Sequence, residues 1–259
     1  MTATTVPASI TAALFLAHTS WRPILLRGLH AVMAADPAYL PALAADDYLP
    51  TQGRLFAAFA LPLAQVRHVL VGEGPYPRAD SATGVCFMDG AVGSLWSATG
   101  LSKPVNRATS LRNFMKMLLV ADGQLQGDDT SGAAMAPVAA AALQAGSGVI
   151  QTLPDLQRKM TEQGFLLLNA ALVFRSHVPP VQDARGWLPF LQVVLEALAQ
   201  QGGAALPQLV LWGKIAELIK RLPVAAMLPQ VTAEHPYNLS FIGNSDMQAL
   251  FGPMQLLRA

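Results

Sequence analysis

Several side chains that could take part in catalysis or ligand binding lie next to short apolar runs of this sequence. Glu73 and Tyr76 come just after the run 68–71, Asn169 ends a second run, and His235 opens a later loop. A carboxylate can accept a proton, a carboxamide and an imidazole can form directed hydrogen bonds, and an aromatic ring can stack on a planar ligand. Open α/β proteins bind ligands beyond the carboxyl ends of their strands. The sequence therefore predicts a ligand site to which several strand ends and one later loop contribute.

Short runs of β-branched and leucine residues predict the strands that position these groups. They cover residues 68–71, 165–168 and 209–212, and their continuous hydrophobicity is typical of parallel strands buried on both faces. Helical periodicity follows the runs in residues 110–120, 187–200 and 215–222. The repeated order of strand, loop and helix predicts a three-layer α/β/α sandwich with a short, mainly parallel central sheet.

The length of 259 residues is that of one domain, or of one domain plus an arm, and we expect a single domain over residues 1–259. Residues 1–65 are predicted to be a helical N-terminal part, with apolar periodicity in residues 9–17, 22–35 and 41–64. Residues 123–150 are rich in Ala and Gly, which predicts a surface insertion with one short helix near residues 138–144.

The composition excludes several classes of protein. Apolar residues make up 53% of the chain and charged residues 13%, which is typical of a folded domain and not of a disordered chain. Cys86 is the only cysteine, so a disulfide within the chain and a four-cysteine zinc or iron–sulfur site are excluded. Residues 130–154 are too rich in Ala and Gly to predict a membrane span, and no basic residue precedes the apolar residues 8–17. We expect a soluble protein of the cytoplasm.

The glycine loop after the first run does not match a dinucleotide-binding fingerprint. That fingerprint needs a third glycine and a helix that opens directly on the pyrophosphate. Here Pro75 and Pro77 remove two amide donors from the loop, and the third glycine is absent. Without further context, the loop could be a simple tight turn.

The loop belongs to a series of short motifs that occur along the chain. The sequence has VLVGEGPY at 69–76, GVCF at 84–87, SLRN at 110–113, GFLLLN at 164–169, LWG at 211–213 and HPYNLS at 235–240. The series resembles the uracil-DNA glycosylase family, whose comparable segments are GQDPYH, GLxFS, SLRN, GVLLLN, LLWG and HPSPLS in the same order. Arg175 and Gly186-Trp187 lie at the family's usual distances after Asn169. The resemblance spans roughly two-thirds of the chain, residues 69–240.

The resemblance implies roles in binding a base that has been flipped out of DNA. Asn169 matches the asparagine that pairs with the Watson–Crick edge of uracil, and Phe87 matches the ring that stacks on the base. Tyr76 matches the ring that rejects the methyl group of thymine, and His235 the histidine that donates to the base as negative charge develops on it. From the residues alone, Phe87 could instead belong to the core and Asn169 could cap a turn.

The resemblance also implies contact with DNA. Lys103, Arg107, Arg112 and Lys116 are basic, and no acidic residue lies between positions 90 and 121. This segment matches the family's phosphate-contacting loop and the helix after it, although a basic helix face can equally be a solvated surface. Leu239 matches the apolar wedge that enters the duplex where the base leaves, although it could also be a half-buried leucine of a loop. The DNA-binding residues implied are Ser110, Arg112, Lys214, Leu239 and Ser240.

Several positions depart from the family pattern. Gly74 replaces the aspartate that positions the attacking water, and Glu73, one residue earlier, is the candidate to act instead. From the residues alone, Glu73 could also be a carboxylate at the rim of the site with no catalytic task. Some branches of the superfamily carry a glutamate at that place, but they hold an iron–sulfur cluster on four cysteines. Pro77 replaces a histidine, Lys214 replaces a serine, and Tyr237-Asn238 replaces Ser-Pro.

The resemblance thus implies a DNA-repair hydrolase of N-glycosyl bonds with Glu73 and His235 as its catalytic residues. We expect a monomer that acts on uracil in single- or double-stranded DNA without a metal or an organic cofactor. The substitution at Gly74 leaves open a catalytically weak or inactive homologue that binds nucleic acid or a free base. An enzyme acting on an unrelated small substrate is also open, because a fold does not fix a function.

Overall fold

The computed structural model describes residues 5–201 and 205–259, and residues 1–4 of the predicted helical N-terminal part lie outside the described residues. The chain divides into two compact units. The first comprises Met1–Asp89, Gly164–Leu211 and Ile215–Gln230, and the second comprises Gly90–Gln163, Trp212–Lys214 and Val231–Ala259. That residues 1–259 form a single domain stays a prediction.

The described chain consists of α-helices, short strands and short 3-10 helices, and α-helices alternate with strands from β4 onwards. The α-helices are α1 Ala8–Ala12, α2 Arg22–Ala35, α3 Tyr39–Ala44, α4 Lys103–Arg107, α5 Thr109–Ala121, α6 Gly132–Ala142, α7 Leu153–Glu162, α8 Pro180–Ala199, α9 Ile215–Lys220 and α10 Ser245–Phe251. The strands are β1 His68–Gly72, β2 Trp96–Ser97, β3 Gly100–Leu101, β4 Phe165–Asn169, β5 Gln208–Trp212 and β6 Gln230–Ala233. Short 3-10 helices cover Ala13–Leu16, Arg54–Ala60, Leu63–Gln65, Pro223–Met227, Leu239–Gly243 and Gly252–Met254.

The central sheet has the strand order β4-β1-β5-β6, and β1 pairs in parallel with both β4 and β5. Gly72 lies opposite Asn169, and Val71 lies opposite Leu211, so these strands end at the same edge. The strands are apolar at nearly every position because both faces of the sheet are buried. The α/β fold class and the three predicted strands are therefore confirmed.

Helices α2 and α8 pack against each other in the first unit. The absence of a side chain at Gly28 allows this close approach, since a Cβ atom there would lie 2.6 Å from Phe190. Trp21, at the start of α2, is fully buried and donates its indole N–H to the carbonyl of Leu61 at 2.8 Å. The helix predicted for residues 22–35 is confirmed, whereas residues 41–64 are helical only in α3 and two short 3-10 helices.

The second unit is built around α5. This helix packs against α10 and the 3-10 helix Leu239–Gly243, while α6 packs against the small hairpin of β2 and β3. The Ser102 side chain caps α4, and Ser131 caps α6. Helix α7 begins with a capping box in which the Thr152 side chain accepts from the Asp155 amide and the Asp155 carboxylate accepts from Thr152.

Some boundaries predicted from the sequence are wrong. Helix α8 begins at Pro180 and not at 187, because proline suits the first turn of a helix. Helix α6 begins at Gly132 and not near 138, because the Ser131 cap starts it earlier and Pro137 is accommodated inside it. The sequence interpretation also missed β6, α7 and the hairpin of β2 and β3. Within the described parts of the chain, no helix combines the length and apolar character needed to cross a membrane.

A buried ion pair joins three segments of the first unit. The Arg175 guanidinium donates two hydrogen bonds to Asp183, at 3.2 and 2.6 Å, and a third to Asp46 at 3.1 Å. The Tyr39 hydroxyl donates to the same Asp183 carboxylate at 2.7 Å. Asp183 is 1% exposed and Arg175 is 8% exposed, so water cannot replace these bonds. The network ties α3 to the first turn of α8.

We predict that Asp183→Ala lowers the free energy of unfolding by about 3–5 kcal/mol, because it leaves the buried Arg175 charge without its bidentate partner. Urea unfolding followed by circular dichroism measures the change. Glu162→Ala is the matched control, since it breaks an exposed pair with Arg158 and should cost far less. Equal losses in the two variants would contradict a structural role for the buried pair.

Candidate functional site

The loop that follows β1 is fastened to the end of β4 in the first unit. The amide of Ala170 donates to the carbonyl of Gly72 at 2.8 Å, and the amide of Ala171 donates to the carbonyl of Glu73 at 3.0 Å. These bonds continue the parallel pairing past the last residues of the strands. They hold the Gly-Glu-Gly segment beside Asn169, as the sequence predicts for two strand ends at one edge.

Gly72 is surrounded so closely that no side chain fits on it. A Cβ atom there would overlap the Cys86 sulfur and lie 3.0 Å from Oδ1 of Asn169. The amide of Cys86 in turn donates to the carbonyl of Leu167 at 3.0 Å. Burial raises the pKa of the Cys86 thiol to about 12, so this group is a neutral packing element at neutral pH. Gly72 and Cys86 thus form the support for the Asn169 side chain.

The Asn169 carboxamide is buried and forms no hydrogen bond within the described parts of the chain. Asn169 is 5% exposed. A carboxamide offers two donors and an acceptor, and buried polar groups nearly always find partners. This side chain is therefore available to a planar ligand with a complementary edge.

Tyr76 and Phe87 lie near the end of β4, which carries the Asn169 side chain. The Tyr76 hydroxyl donates to the main-chain carbonyl of Phe87 at 3.3 Å, and Phe87 directly follows Cys86. Burial, with smaller contributions from Cys86 and Asp89, raises the pKa of the Tyr76 phenol, which is therefore neutral. Phe87 has a positive φ of 68°, an uncommon conformation for a residue with a side chain and one often found at ligand sites. The predicted residues Phe87 and Asn169 thus stand on segments that meet at Cys86, and Tyr76 is joined to Phe87 by a hydrogen bond.

Glu73 and Gly74 are exposed at the rim of this first-unit site. The surroundings of Gly74 differ from those of Gly72, because the nearest atoms to a Cβ built there are the carbonyl oxygen and Cβ of Ala171, at 3.6 and 3.7 Å. These are ordinary contact distances. Gly74 therefore has room for a side chain that the sequence does not supply.

In the second unit, the loop that carries His235 follows β6 and has a defined main-chain conformation. The amide of Tyr237 donates to Nδ1 of His235 at 3.2 Å, so Nδ1 is an acceptor. In a neutral imidazole the proton then lies on Nε2, which becomes the donor. Gly213 has a positive φ of 66°, and a Cβ there would lie 2.9 Å from Cβ of His235. The glycine of the LWG motif is thus required by the close approach of His235.

One buried side chain holds this loop from α5. The Asn113 carboxamide donates to the carbonyl of Pro236 at 2.7 Å and lies 3.3 Å from the carbonyls of both Tyr237 and Asn238. Asn113 is fully buried. Sequence reasoning noted Asn113 only as the last letter of SLRN, because nothing local signals partners 123–125 positions away.

The surface of the same loop is apolar at its tip. Tyr237 is 60% exposed and Leu239 is 69% exposed, and Ser240 is exposed as well. Lys214, in the segment between β5 and α9, is also exposed. Behind the tip, Glu234 accepts a hydrogen bond from Asn244 at 2.8 Å and is also bonded to Ser240. Although burial raises the pKa of Glu234, these hydrogen bonds leave it below its usual value. Glu234 is a further site neighbour that the sequence interpretation missed.

The basic residues of the second unit are not equivalent. Arg112 is half-buried and donates to the carbonyl of Asn106 and to Oδ1 of Asn113, both at 3.3 Å. Lys116 donates to the carbonyl of Thr130 at 2.7 Å, and burial together with Arg112 lowers its pKa. Lys116 thus binds the predicted insertion. In the same basic segment, Lys103 and Arg107 are exposed and Ser110 is half-buried.

Known proteins resemble this chain over most of its length. The crystal structure of the wild-type UNG of Nitratifractor salsuginis has a TM-score of 0.86 and 41% sequence identity, covering 96% of each chain. The chain belongs to the uracil-DNA glycosylase superfamily. The uracil-DNA glycosylase of Corynebacterium glutamicum is 28% identical over 225 residues, 86% of this chain and 81% of the relative. That of a Nocardioides species is 27% identical over 197 residues, 76% of this chain and 68% of the relative. No family model matches the sequence.

Four residues of the sequence motifs make close contacts with neighbouring segments: Gly72, Cys86, Asn113 and Gly213. Gly74, by contrast, has open space where a side chain would lie. Among the described residues, no group of three or more His, Cys, Asp or Glu side chains is arranged to hold a metal ion.

We predict opposite outcomes for alanine at the two glycines of the loop in this superfamily member. Gly72→Ala should lower the free energy of unfolding by about 1–3 kcal/mol, because its methyl group overlaps Cys86 and crowds Asn169. Gly74→Ala, the matched control, should leave stability unchanged or slightly increased, since the space is open. Chemical unfolding of the two variants measures the difference. Equal stability of both would contradict the close packing at Gly72.

Proposed function

We propose that this protein removes uracil from DNA by hydrolysing the N-glycosidic bond, as a DNA-repair glycosylase. The observation that carries the proposal is the buried Asn169 carboxamide, which has no protein partner in the described chain and stands at a strand end beside the Tyr76 and Phe87 segments. Membership of the uracil-DNA glycosylase superfamily supports the same conclusion.

Asn169 is proposed to recognise the base through its Watson–Crick edge. Its Oδ1 accepts from N3–H of uracil, and its Nδ2 donates to O4, a pattern that cytosine does not match. Phe87 stacks on the ring of the base, and Tyr76 occupies the space beside C5, so that the methyl group of thymine is rejected by overlap. A base inside the duplex cannot be reached in this way, so the nucleotide must be flipped out of the stack.

His235 and Glu73 are proposed to assist the bond cleavage. When the bond between N1 and C1′ breaks, its electron pair stays on the uracil, and the sugar becomes an oxocarbenium-like cation. The Nε2–H of His235 donates to O2 of uracil, where negative charge develops. The Glu73 carboxylate stabilises the cationic sugar and accepts a proton from the water whose oxygen bonds to C1′.

Contacts with DNA are proposed for the exposed and half-buried groups of the second unit. Lys214, Ser110, Ser240 and Arg112 would bind phosphates, and Leu239, at 69% exposed, would enter the duplex where the base leaves. Action as a monomer, location in the cytoplasm and independence of a metal or organic cofactor remain predictions from the sequence.

We predict that the protein releases uracil from an oligonucleotide and that Asn169→Ala lowers kcat/KM by about 10²–10³-fold, since the lost hydrogen bonds lie in a desolvated site. Gel analysis of abasic-site cleavage measures the rate. Gln151→Ala is the control, because it removes a carboxamide that binds the carbonyls of Ala142 and Val149. Tight binding of uracil-containing DNA with no cleavage would instead support a non-catalytic binder, and loss of both would support an unrelated substrate.

A second prediction concerns the missing aspartate. Glu73→Gln should lower the single-turnover rate by about 10²–10⁴-fold if Glu73 assists water. Gly74→Asp should raise the rate and reduce the cost of Glu73→Gln, because the space at Gly74 accepts a side chain. Gly74→Asn is the isosteric control without a charge. An unchanged rate in Glu73→Gln would mean that Glu73 is only a surface carboxylate.

A further inference from the structure

Both the nitrogen and the oxygen of the Asn113 carboxamide form hydrogen bonds within the second unit. On one side, Nδ2 donates to the carbonyl of Pro236 at 2.7 Å and lies 3.3 Å from the next two carbonyls. On the other side, Oδ1 accepts from Nε of Arg112 at 3.3 Å. Asn113 is fully buried, so water does not compete for these bonds. A single planar group therefore joins an arginine to three consecutive residues of the loop 235–239.

The loop fixed in this way carries two of the groups proposed to act on the nucleotide. The amide of Tyr237 sets the acceptor at Nδ1 of His235, so a rotation of the main chain at 236–238 would change the hydrogen bond that defines the tautomer. Leu239 directly follows these residues and begins a 3-10 helix. The three carbonyls bound by Asn113 thus lie between His235 and Leu239 in sequence.

Apolar packing around α5 gives the second unit an independent source of stability. The ring centroids of Phe114 and Phe251 are 5.1 Å apart, and those of Trp212 and Phe241 are 5.3 Å apart. Asn113 does not take part in these ring contacts. We therefore expect the unit to fold without the Asn113 amide, while the main chain of residues 236–238 becomes less well defined.

We propose that Asn113 is a positioning residue that couples Arg112 to the loop 235–239. The proposal rests on the proposed function, in which Arg112 binds a DNA phosphate. A guanidinium held by a phosphate keeps its Nε–H on Oδ1 of Asn113, which polarises the amide and strengthens the Nδ2 donor toward the loop. Engagement of the DNA backbone then fixes the positions of His235 and Leu239.

The first test removes the amide while keeping its volume. Asn113→Leu should lower the single-turnover rate by about 10²-fold, because small displacements of reacting groups have effects of this size. The thermal unfolding midpoint should show a folded protein, and Gln151→Ala should keep the unmutated rate. If Asn113→Leu does not fold, Asn113→Ser supplies the same comparison with a smaller side chain. A folded Asn113 variant with the unmutated rate would overturn the proposal.

The second test replaces the Asn113 amide with a carboxyl group, whose protonation depends on pH. In Asn113→Asp, the protonated carboxyl can donate one hydrogen bond to the loop, whereas the ionised carboxylate faces three carbonyl oxygens. The rate of this variant relative to the unmutated protein should therefore rise as the pH falls through the range in which the carboxyl gains its proton. The thermal unfolding midpoint over the same pH range separates a loss of folding from a loss of rate, and a flat rate ratio in the folded variant would overturn the proposal.

The third test measures the coupling itself. Arg112→Ala and Leu239→Ala should be non-additive in kcat/KM by about five-fold or more in the unmutated background, and additive in Asn113→Leu. Additivity in both backgrounds would overturn the coupling. Failure of the unmutated protein to release uracil would instead count against the proposed function, so the two failures are distinguishable.

Discussion

The close approach of β1 to β4 at Gly72 is the constraint on which the first-unit site depends. Because Gly72 has no side chain, the Cys86 sulfur and the Asn169 amide oxygen can both lie against its Cα. The parallel register puts Gly72 opposite Asn169, and two further hydrogen bonds extend it into the loop. A rigid sheet edge thus carries the amide, while the exposed loop carries the carboxylate. This arrangement separates the amide proposed to recognise the base from the carboxylate proposed to assist the cleavage.

Two buried asparagines illustrate how the same side chain serves different purposes. The carboxamide of Asn169 has no partner among the described residues, so its hydrogen bonds are available to a ligand. The carboxamide of Asn113 is saturated by main-chain carbonyls and an arginine, so it can only hold protein structure. The difference lies in surroundings and not in burial, since both residues are 5% exposed or less.

The basic residues of the second unit also differ in their surroundings, because some bond to other parts of the protein and others are exposed to solvent. The net charge of +1 gives little attraction to a polyanion, and the local excess of basic residues in the segment 90–121 is partly used within the protein. Lys116 holds the main chain of the Ala-rich segment at Thr130, whereas Arg112 lies next to the amide that holds the histidine loop. Lys103 and Arg107 are exposed to solvent. The proposed binding to a phosphate backbone therefore depends on few basic side chains.

The sequence by itself determined three strands of the central sheet, the long helix that begins at residue 22 and the superfamily. It could do so because hydrophobic periodicity and short motifs are local properties of the chain. Only the tertiary structure distinguished the crowded Gly72 from the open Gly74, and it alone showed that Asn113 bonds to residues 236–238. The edge strand β6 also escaped prediction, because its half-exposed residues lack the continuous apolar run of a central strand. Such features arise from contacts between residues that lie far apart in sequence, and no pattern within a short window of residues records them.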